Sequence, residues 1–243
     1  MTEPSGYDTK ALKRRGFMKQ KGADYFSVRL RVVGGRVTAD HLEALARLSR
    51  EYGRAEVHLT TRQGVEIPNV HGARLEAFEA DLADAGLALG PAGPRVRTIT
   101  ACQGALCSHG LINSGRVADR IAERFGARGG LPHKFKIGIT GCPNGCIKPR
   151  ENDLGIMGSS KEGTRYVLFV GGKMGKHPRM GDRLPTTIAD ADTLLDAVGT
   201  VIDWYAAVGK EGERFGDTLD RVGVAELISV LSNGGTIARP AGS

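Results

Sequence analysis

The four cysteines of this chain fall in two short segments, Cys102 and Cys107 in TACQGALC, then Cys142 and Cys146 in TGCPNGC. If their sulfurs serve one metal centre, the fold must bring two turns together, each presenting a pair of thiolates. Thiolates are soft ligands suited to iron–sulfur clusters, zinc or copper(I). Gly141, Pro143 and Gly145 around the second pair permit tight turns and close approach of backbone to a bulky inorganic group. Zinc pairs usually stand roughly two to four residues apart, typically as CxxC. CxxxxC with CxxxC lies at the edge of that range and leaves a structural zinc open. Four cysteines in 243 residues are too few for a small secreted disulfide scaffold. Their clustering favours metal binding in a reducing compartment.

The hydrophobic pattern around these segments is mixed. Residues 1–20 are polar and basic, with Lys10, Lys13, Arg14 and Arg15, and read as an arm, order beginning near Tyr25. From there YFSVRLRVV reads as a strand, Thr38 to Tyr52 as a helix closed by Gly53, and AEVHLT with GVEIPNV as a strand pair. Leu75, Phe78, Leu82 and Ala85 share one helical face, stopped by Gly86. A short strand at Leu87–Leu89 would complete a ferredoxin-like α+β half domain over 21–90. The segment Gly90-Pro91-Ala92-Gly93-Pro94 is a natural boundary. A mixed α/β domain over 95–243 follows, with a helix carrying Val117, Ile121 and Phe125 and the strand KFKIGIT leading into the second cysteine pair. DLGIMG and RYVLFVGG read as further strands and Ala191–Val208 as an amphipathic helix before a Gly-rich end. Trp204 and Tyr205 on that helix read as core.

Thirty-four Lys and Arg against 27 Asp and Glu leave a formal charge of +7, which calls for an anionic partner. Aromatics are only 5 %, and no basic run is interleaved with stacking rings, which counts against nucleic acid. A small anion or a polycarboxylate cofactor fits the charge equally well. No apolar run approaches the length needed to cross a bilayer, so the expected location is the cytoplasm, with no membrane partner.

Taken together, TGCPNGC, DLGIMG, RYVLFVGG and HPRMGDRLP resemble the C-terminal part of the siroheme and [4Fe-4S] sulfite and nitrite reductases. VRLRVVGG and HLTTRQGVEIPNV resemble their ferredoxin-like half domain. The likeness runs from about Phe17 to Val224, with several motifs in the same order. It implies that Cys102, Cys107, Cys142 and Cys146 hold a [4Fe-4S] cluster, and that the Cys146 sulfur also bridges to the siroheme iron. The open face of the heme would bind sulfite or nitrite, reduced by six electrons to sulfide or ammonia.

Such a reduction must neutralise an oxyanion, protonate its departing oxygens and deliver electrons without releasing intermediates, so cations must crowd one face of the metal. In extended chain, residues two apart share a side. That rule pairs Arg29 with Arg31, Thr60 with Arg62 and Lys134 with Lys136. Matched motif to motif, the resemblance assigns Arg29, Arg97, Lys134 and Lys136 to anion binding and proton supply. Arg31, Thr60, Arg62, Gln63, Asn144 and Arg179 would hold siroheme and the cluster loop, although Arg179 and Gly171-Gly172 read equally well as structural turns. His58, His109, His133 and His177 have no metal-ligand spacing among themselves, and surface or supporting roles are expected.

Two features depart from the family pattern. The first cysteine pair has one intervening residue fewer than the family's five. Glu66 stands where Gln is usual, placing a carboxylate near a polycarboxylate cofactor, so it either pairs with a nearby Arg or titrates upward. Larger family members contain two copies of both halves, whereas this chain has one; a homodimer or heteromer is expected, completing each site in trans, with completion in cis left open. No GxGxxG fingerprint follows a strand, which implies an external electron donor such as a ferredoxin or a separate reductase. Other readings are a precorrin-3B synthase-like tetrapyrrole hydroxylase, a non-catalytic iron–sulfur electron-transfer subunit, and a zinc-bound basic module.

Overall fold

The computed structural model describes residues 6–21, 24–126, 128–160 and 163–233. The chain divides into two units, Met1–Gly93 and Pro94–Ser243.

In the first unit, alternation of apolar and polar residues builds a four-stranded antiparallel sheet from β1 (Phe17–Lys19), β2 (Tyr25–Arg29), β3 (His58–Leu59) and β4 (Val65–His71), in the order β1-β2-β4-β3. Phe26, Val28, Val65 and Ile67 turn inward, while Ser27, Arg29 and Glu66 occupy the other face. Two helices, α2 (Ala39–Tyr52) and α3 (Leu75–Asp84), cover the apolar face, α1 being Thr9–Arg15. Thr38 caps α2 by accepting the His41 N–H, and Leu45, Leu48 and Tyr52 recur at helical spacing to meet Phe78 and Leu82. Tyr52 and Phe78 pack edge-on at 5.3 Å, and the Tyr52 hydroxyl donates to Asp81 at 2.7 Å.

Order begins well before Tyr25, which corrects the reading of an arm over residues 6–20, while residues 1–5 lie outside the described residues. The basic residues lie on α1 and at its end, where Arg15 pairs with Glu76 and Glu79, while Phe17 of β1 is fully buried. The anticipated strand at Leu87–Leu89 is a single bridge from Leu89 to Leu30, so β1 takes most of that sheet edge. YFSVRLRVV stops as a strand at Arg29, and Val33–Gly35 is a 3-10 turn. AEVHLT shrinks to His58–Leu59. If β1 is integral to the core, Phe17→Ala lowers the stability of the unit by about 3–5 kcal/mol, read as a drop in the denaturant midpoint. A midpoint within error of wild type would return this segment to the status of an arm.

The second unit carries a five-stranded sheet in simple order, β5 (Thr100–Ala101), β6 (Ile137–Thr140), β7 (Leu154–Ser159), β8 (Arg165–Val170) and β9 (Asp182–Ile188). The first three strands are parallel and the last two antiparallel to their neighbours. The parallel step from β6 to β7 requires a crossover, and residues 141–153, which include the second cysteine pair, provide it. α4 (Ser114–Phe125) buries Val117, Ala118, Ile121 and Phe125. Arg120 pairs with Asp192 and Arg124 with Asp196 of α5 (Ala191–Val208); beyond α4, Arg128 pairs with Asp203. Trp204 and Tyr205 are buried as expected, clustered with Phe135 and Phe215. The sequence reading missed β5, β9, α6 (Phe215–Val222) and α7 (Val224–Ser232). The Gly-rich end at 234–243 lies outside the described residues. Among these, no helix is long and apolar enough to cross a membrane.

Candidate functional site

Parallel strands β5 and β6 run side by side, and each passes directly into a cysteine segment at its carboxyl end. Cys102 follows β5, and Gly141-Cys142 follows β6. The two loops are laced together. The Gly141 N–H donates to Cys102 Sγ at 3.0 Å, and the N–H groups of Leu111 and Ile112 donate to the Gly141 carbonyl at 2.9 and 3.3 Å. Within them, Cys107 and Cys146 are exposed, Cys102 is half-buried and Cys142 is buried.

Backbone crowding explains the glycines at this junction. Gly104 adopts a left-handed φ of 55°, and a Cβ there would strike Ser114 Oγ and stand 2.6 Å from the Ser114 nitrogen. At Gly158 of β7 a Cβ would meet the Gly141 carbonyl oxygen and lie 3.0 Å from Ile112. Asn152, itself buried, holds the crossover by donating from Nδ2 to the carbonyls of Lys148 at 3.1 Å and Ile147 at 3.5 Å.

The surroundings of Cys102 favour its thiolate. Burial works against the charge, but hydrogen bonding from Ser114, from the Gly141 and Gly104 backbone and from Thr140 outweighs it, and the thiol sits below its ordinary pKa. Ser114 is the first residue of α4, and its hydroxyl lies 2.7 Å from the Cys102 carbonyl and 3.5 Å from Sγ. Among the described residues no three His, Cys, Asp or Glu side chains form a ready ligand group, so the structure joins the two loops rather than all four sulfurs. A thiolate-stabilising loop bonded to a second thiol-bearing turn, with exposed thiols at each far end, fits an iron–sulfur cluster in its donor chemistry.

At the amino ends of the same strands lie the cations. Val96 bridges Phe135 in parallel, and the Arg97 N–H donates to the Phe135 carbonyl at 2.8 Å, which sets Arg97 beside Lys134 and Lys136. Phe135 and Ile137 are buried, and the lysines alternate to the opposite side. His133 stands among them. Burial and the charges of Lys134, Arg214 and Arg97 hold its pKa below the usual imidazole value, against the pull of Asp217. Its Nδ1 accepts the Lys134 N–H at 2.7 Å. Sequence reasoning gave His133 only a supporting role and missed Ser114, Asn152, Asp153 and Arg214. An Asp at the entrance of the buried run DLGIMG was the one available signal for Asp153.

In the first unit Arg29 and Glu66 are cross-strand partners, with Arg29 Nε to Glu66 Oε1 at 2.8 Å and the Ser27 hydroxyl donating to Oε2 at 3.0 Å. Of the two fates expected for Glu66, pairing with Arg is the one observed. Thr60, Arg62 and Gln63 share one tight turn: the Gly64 N–H donates to Thr60 Oγ1 at 2.9 Å, and Gln63 adopts a φ of 54°. Arg31 is exposed and anchored by its N–H to the Ala88 carbonyl at 2.8 Å. In the second unit Asn144 is exposed on the cysteine turn. Arg179 is spent on protein partners, with Nε on Asp220 at 2.9 Å, Nη2 on Asp182 at 2.6 Å and Nη1 on the Gly171 carbonyl at 3.2 Å. Of its two expected roles, these contacts serve the brace between turns.

Comparison with known proteins identifies a domain in each half of the chain. The nitrite and sulphite reductase 4Fe-4S domain matches residues 92–235, and the nitrite/sulfite reductase ferredoxin-like half domain matches 18–85. A ferredoxin–nitrite reductase of Synechococcus elongatus is 35 % identical over 183 residues, covering 73 % of this chain and 36 % of the relative. An uncharacterised protein of Methanocaldococcus jannaschii is 37 % identical over 252 residues, covering 84 % of this chain and 90 % of the relative. In fold, the NirA protein of Mycobacterium tuberculosis superposes with a TM-score of 0.83 at 20 % identity, over 98 % of this chain and 49 % of that one. The chain therefore spans about a third of the length of the named reductase it matches. The cofactors of this architecture are a [4Fe-4S] cluster and siroheme, and the thiol loops described above suit the first. With both domains matched in order along most of its length, the chain belongs to the nitrite and sulphite reductase family.

Proposed function

We propose that this protein reduces sulfite to sulfide, or nitrite to ammonia, by six electrons. Siroheme coupled through Cys146 to the [4Fe-4S] cluster would supply the electrons and the open metal site. Arg97, Lys134 and Lys136, with Arg29 from the half domain over 21–90, bind the oxyanion and deliver protons to its departing oxygens. Thr60, Arg62 and Gln63 hold siroheme carboxylates, and Asn144 steadies the cluster turn. The observation that carries this reading is the paired provision of β5 and β6, with cations at their amino ends and thiols at their carboxyl ends.

That same polarity bears on how a site is completed. Lys136 precedes β6 and Cys142 follows it, a separation of roughly 20 Å at the rise of an extended strand. A lysine side chain spans about 6 Å, given backbone-scale bond lengths. In our reading the cations of one chain serve the cofactors of a second chain in a homodimer, an isologous arrangement. Free thiols suit a reducing compartment, the cytoplasm, and an external donor such as a ferredoxin delivers the electrons. Reduction of sulfite and nitrite by protein loaded with both cofactors, driven by reduced methyl viologen, is the direct test. Turnover on neither anion would reject the assignment.

A further inference from the structure

Asp153, at the entry to β7, has no exposed surface, and the reduction as proposed does not use it. The Lys136 N–H donates to its Oδ2 at 2.9 Å, and Arg214 Nη2 lies 2.9 Å from each carboxylate oxygen. These bonds are all donated to Asp153, whose two oxygens act as acceptors beside the Arg214 guanidinium. Arg214 is itself nearly buried, its side chain 12 % exposed, and its Nε has no hydrogen-bond partner among the described residues. A buried ion pair is a poor source of stability, because desolvation of both charges offsets their attraction. Stability alone is thus a weak reason for this pair, and its position suggests another.

The pair lies directly behind the cationic edge. His133 and Lys134 share the segment of Lys136, Arg97 comes from the neighbouring one, Tyr205 from α5, and Glu213, Arg214 and Asp217 from the start of α6. Asp217 is engaged by Lys173 and Glu213 by Arg221. The Asp153 carboxylate accepts the Lys136 backbone N–H. We propose that Asp153, held by Arg214, is a positioning residue for Lys136: it fixes the backbone from which the ammonium projects and supplies that ammonium's counter-charge. Burial pushes the Asp153 carboxyl above its ordinary pKa, and Arg214, the Lys136 N–H and the Lys136 charge oppose that rise. This inference rests on the assignment of Lys136 to the anion site.

Two variants of the cofactor-loaded protein test it. Asp153→Asn removes the counter-charge alone. Asp153→Asn with Arg214→Gln removes both charges, so no guanidinium is left buried and uncompensated if the single variant fails to fold. The first readout is titration of the Lys136 amino group by NMR of 13C-methylated lysines, identified by the resonance lost in Lys136→Ala. The midpoint falls by about one pH unit in the single variant and by less in the double. The second readout is the pH profile of kcat/KM, whose alkaline limb moves to lower pH by the same amount. Unchanged midpoint and limb, with only a lowered Tm, would make Asp153 a structural brace and overturn the proposal. The lysine titration needs no turnover, so its result stands apart from whether the protein reduces sulfite.

Discussion

Mixing Lys136→Ala chains with Cys146→Ser chains restores activity that neither variant has alone. Lys136 and Cys142 lie at opposite ends of β6. In the proposed homodimer a site draws the cation and the cofactors from different chains. In a randomly reassorted two-fold dimer, about half the molecules are mixed and each has one intact site, so recovery reaches about a quarter of wild-type turnover. Under the proposed function each variant alone fails for its own reason: the first would keep both cofactors and lack a proton-supplying cation, and the second would lose the sulfur that couples cluster to heme. The check is subunit exchange followed by viologen-linked sulfite reduction. No recovery after proven exchange, or full activity of a strict monomer in analytical ultracentrifugation, would remove the trans arrangement.

The second large effect is on cluster retention. Cys102→Ser abolishes it, whereas Ser114→Ala leaves all four thiols in place and weakens it by about 10–100-fold, the range for groups that orient metal ligands. The Ser114 hydroxyl lies between the Cys102 carbonyl and sulfur at the start of α4, and with the Gly141 N–H it helps keep the thiol below its ordinary pKa. A lowered thiol pKa means the ligand-competent thiolate persists to lower pH. Removing Ser114 therefore raises the pH at which half the cluster assembles, as well as lowering the yield at neutral pH. Iron and acid-labile sulfide content across a pH series reads both effects. Equal content in Ser114→Ala and wild type at every pH would show that the hydroxyl only caps the Cys102 carbonyl.

The parts of the fold legible in sequence were those with strong local signals. Thr38 and the apolar spacing through Tyr52 marked α2, and a clean run marked β8. The cysteine loops were legible because glycines surround the second pair. α1 and β1 were not, since a basic composition hides a segment whose order comes from long-range pairs, Phe17 with Val28 across the sheet and Arg15 with Glu76. β5, only Thr100–Ala101, is too short to show a period and exists because β6 lies beside it. Side-chain partners were legible least. Strand alternation placed Arg29 on the polar face but could not tell that Glu66 stands opposite it, and nothing in HPRM told that Asp182 and Asp220 surround Arg179. Asp153 and Arg214 are 61 positions apart, and their pairing follows from tertiary packing alone.

The most direct measurement of the account is the visible spectrum of protein purified without air from cells able to make siroheme, recorded before and after dithionite and then sulfite. The account predicts a chlorin-like red band over the broad brown absorption of the cluster, with the red band shifting when sulfite is added to the reduced protein. A cluster spectrum with no chlorin band, even after reconstitution with siroheme, would contradict it and leave the chain an iron–sulfur carrier or subunit.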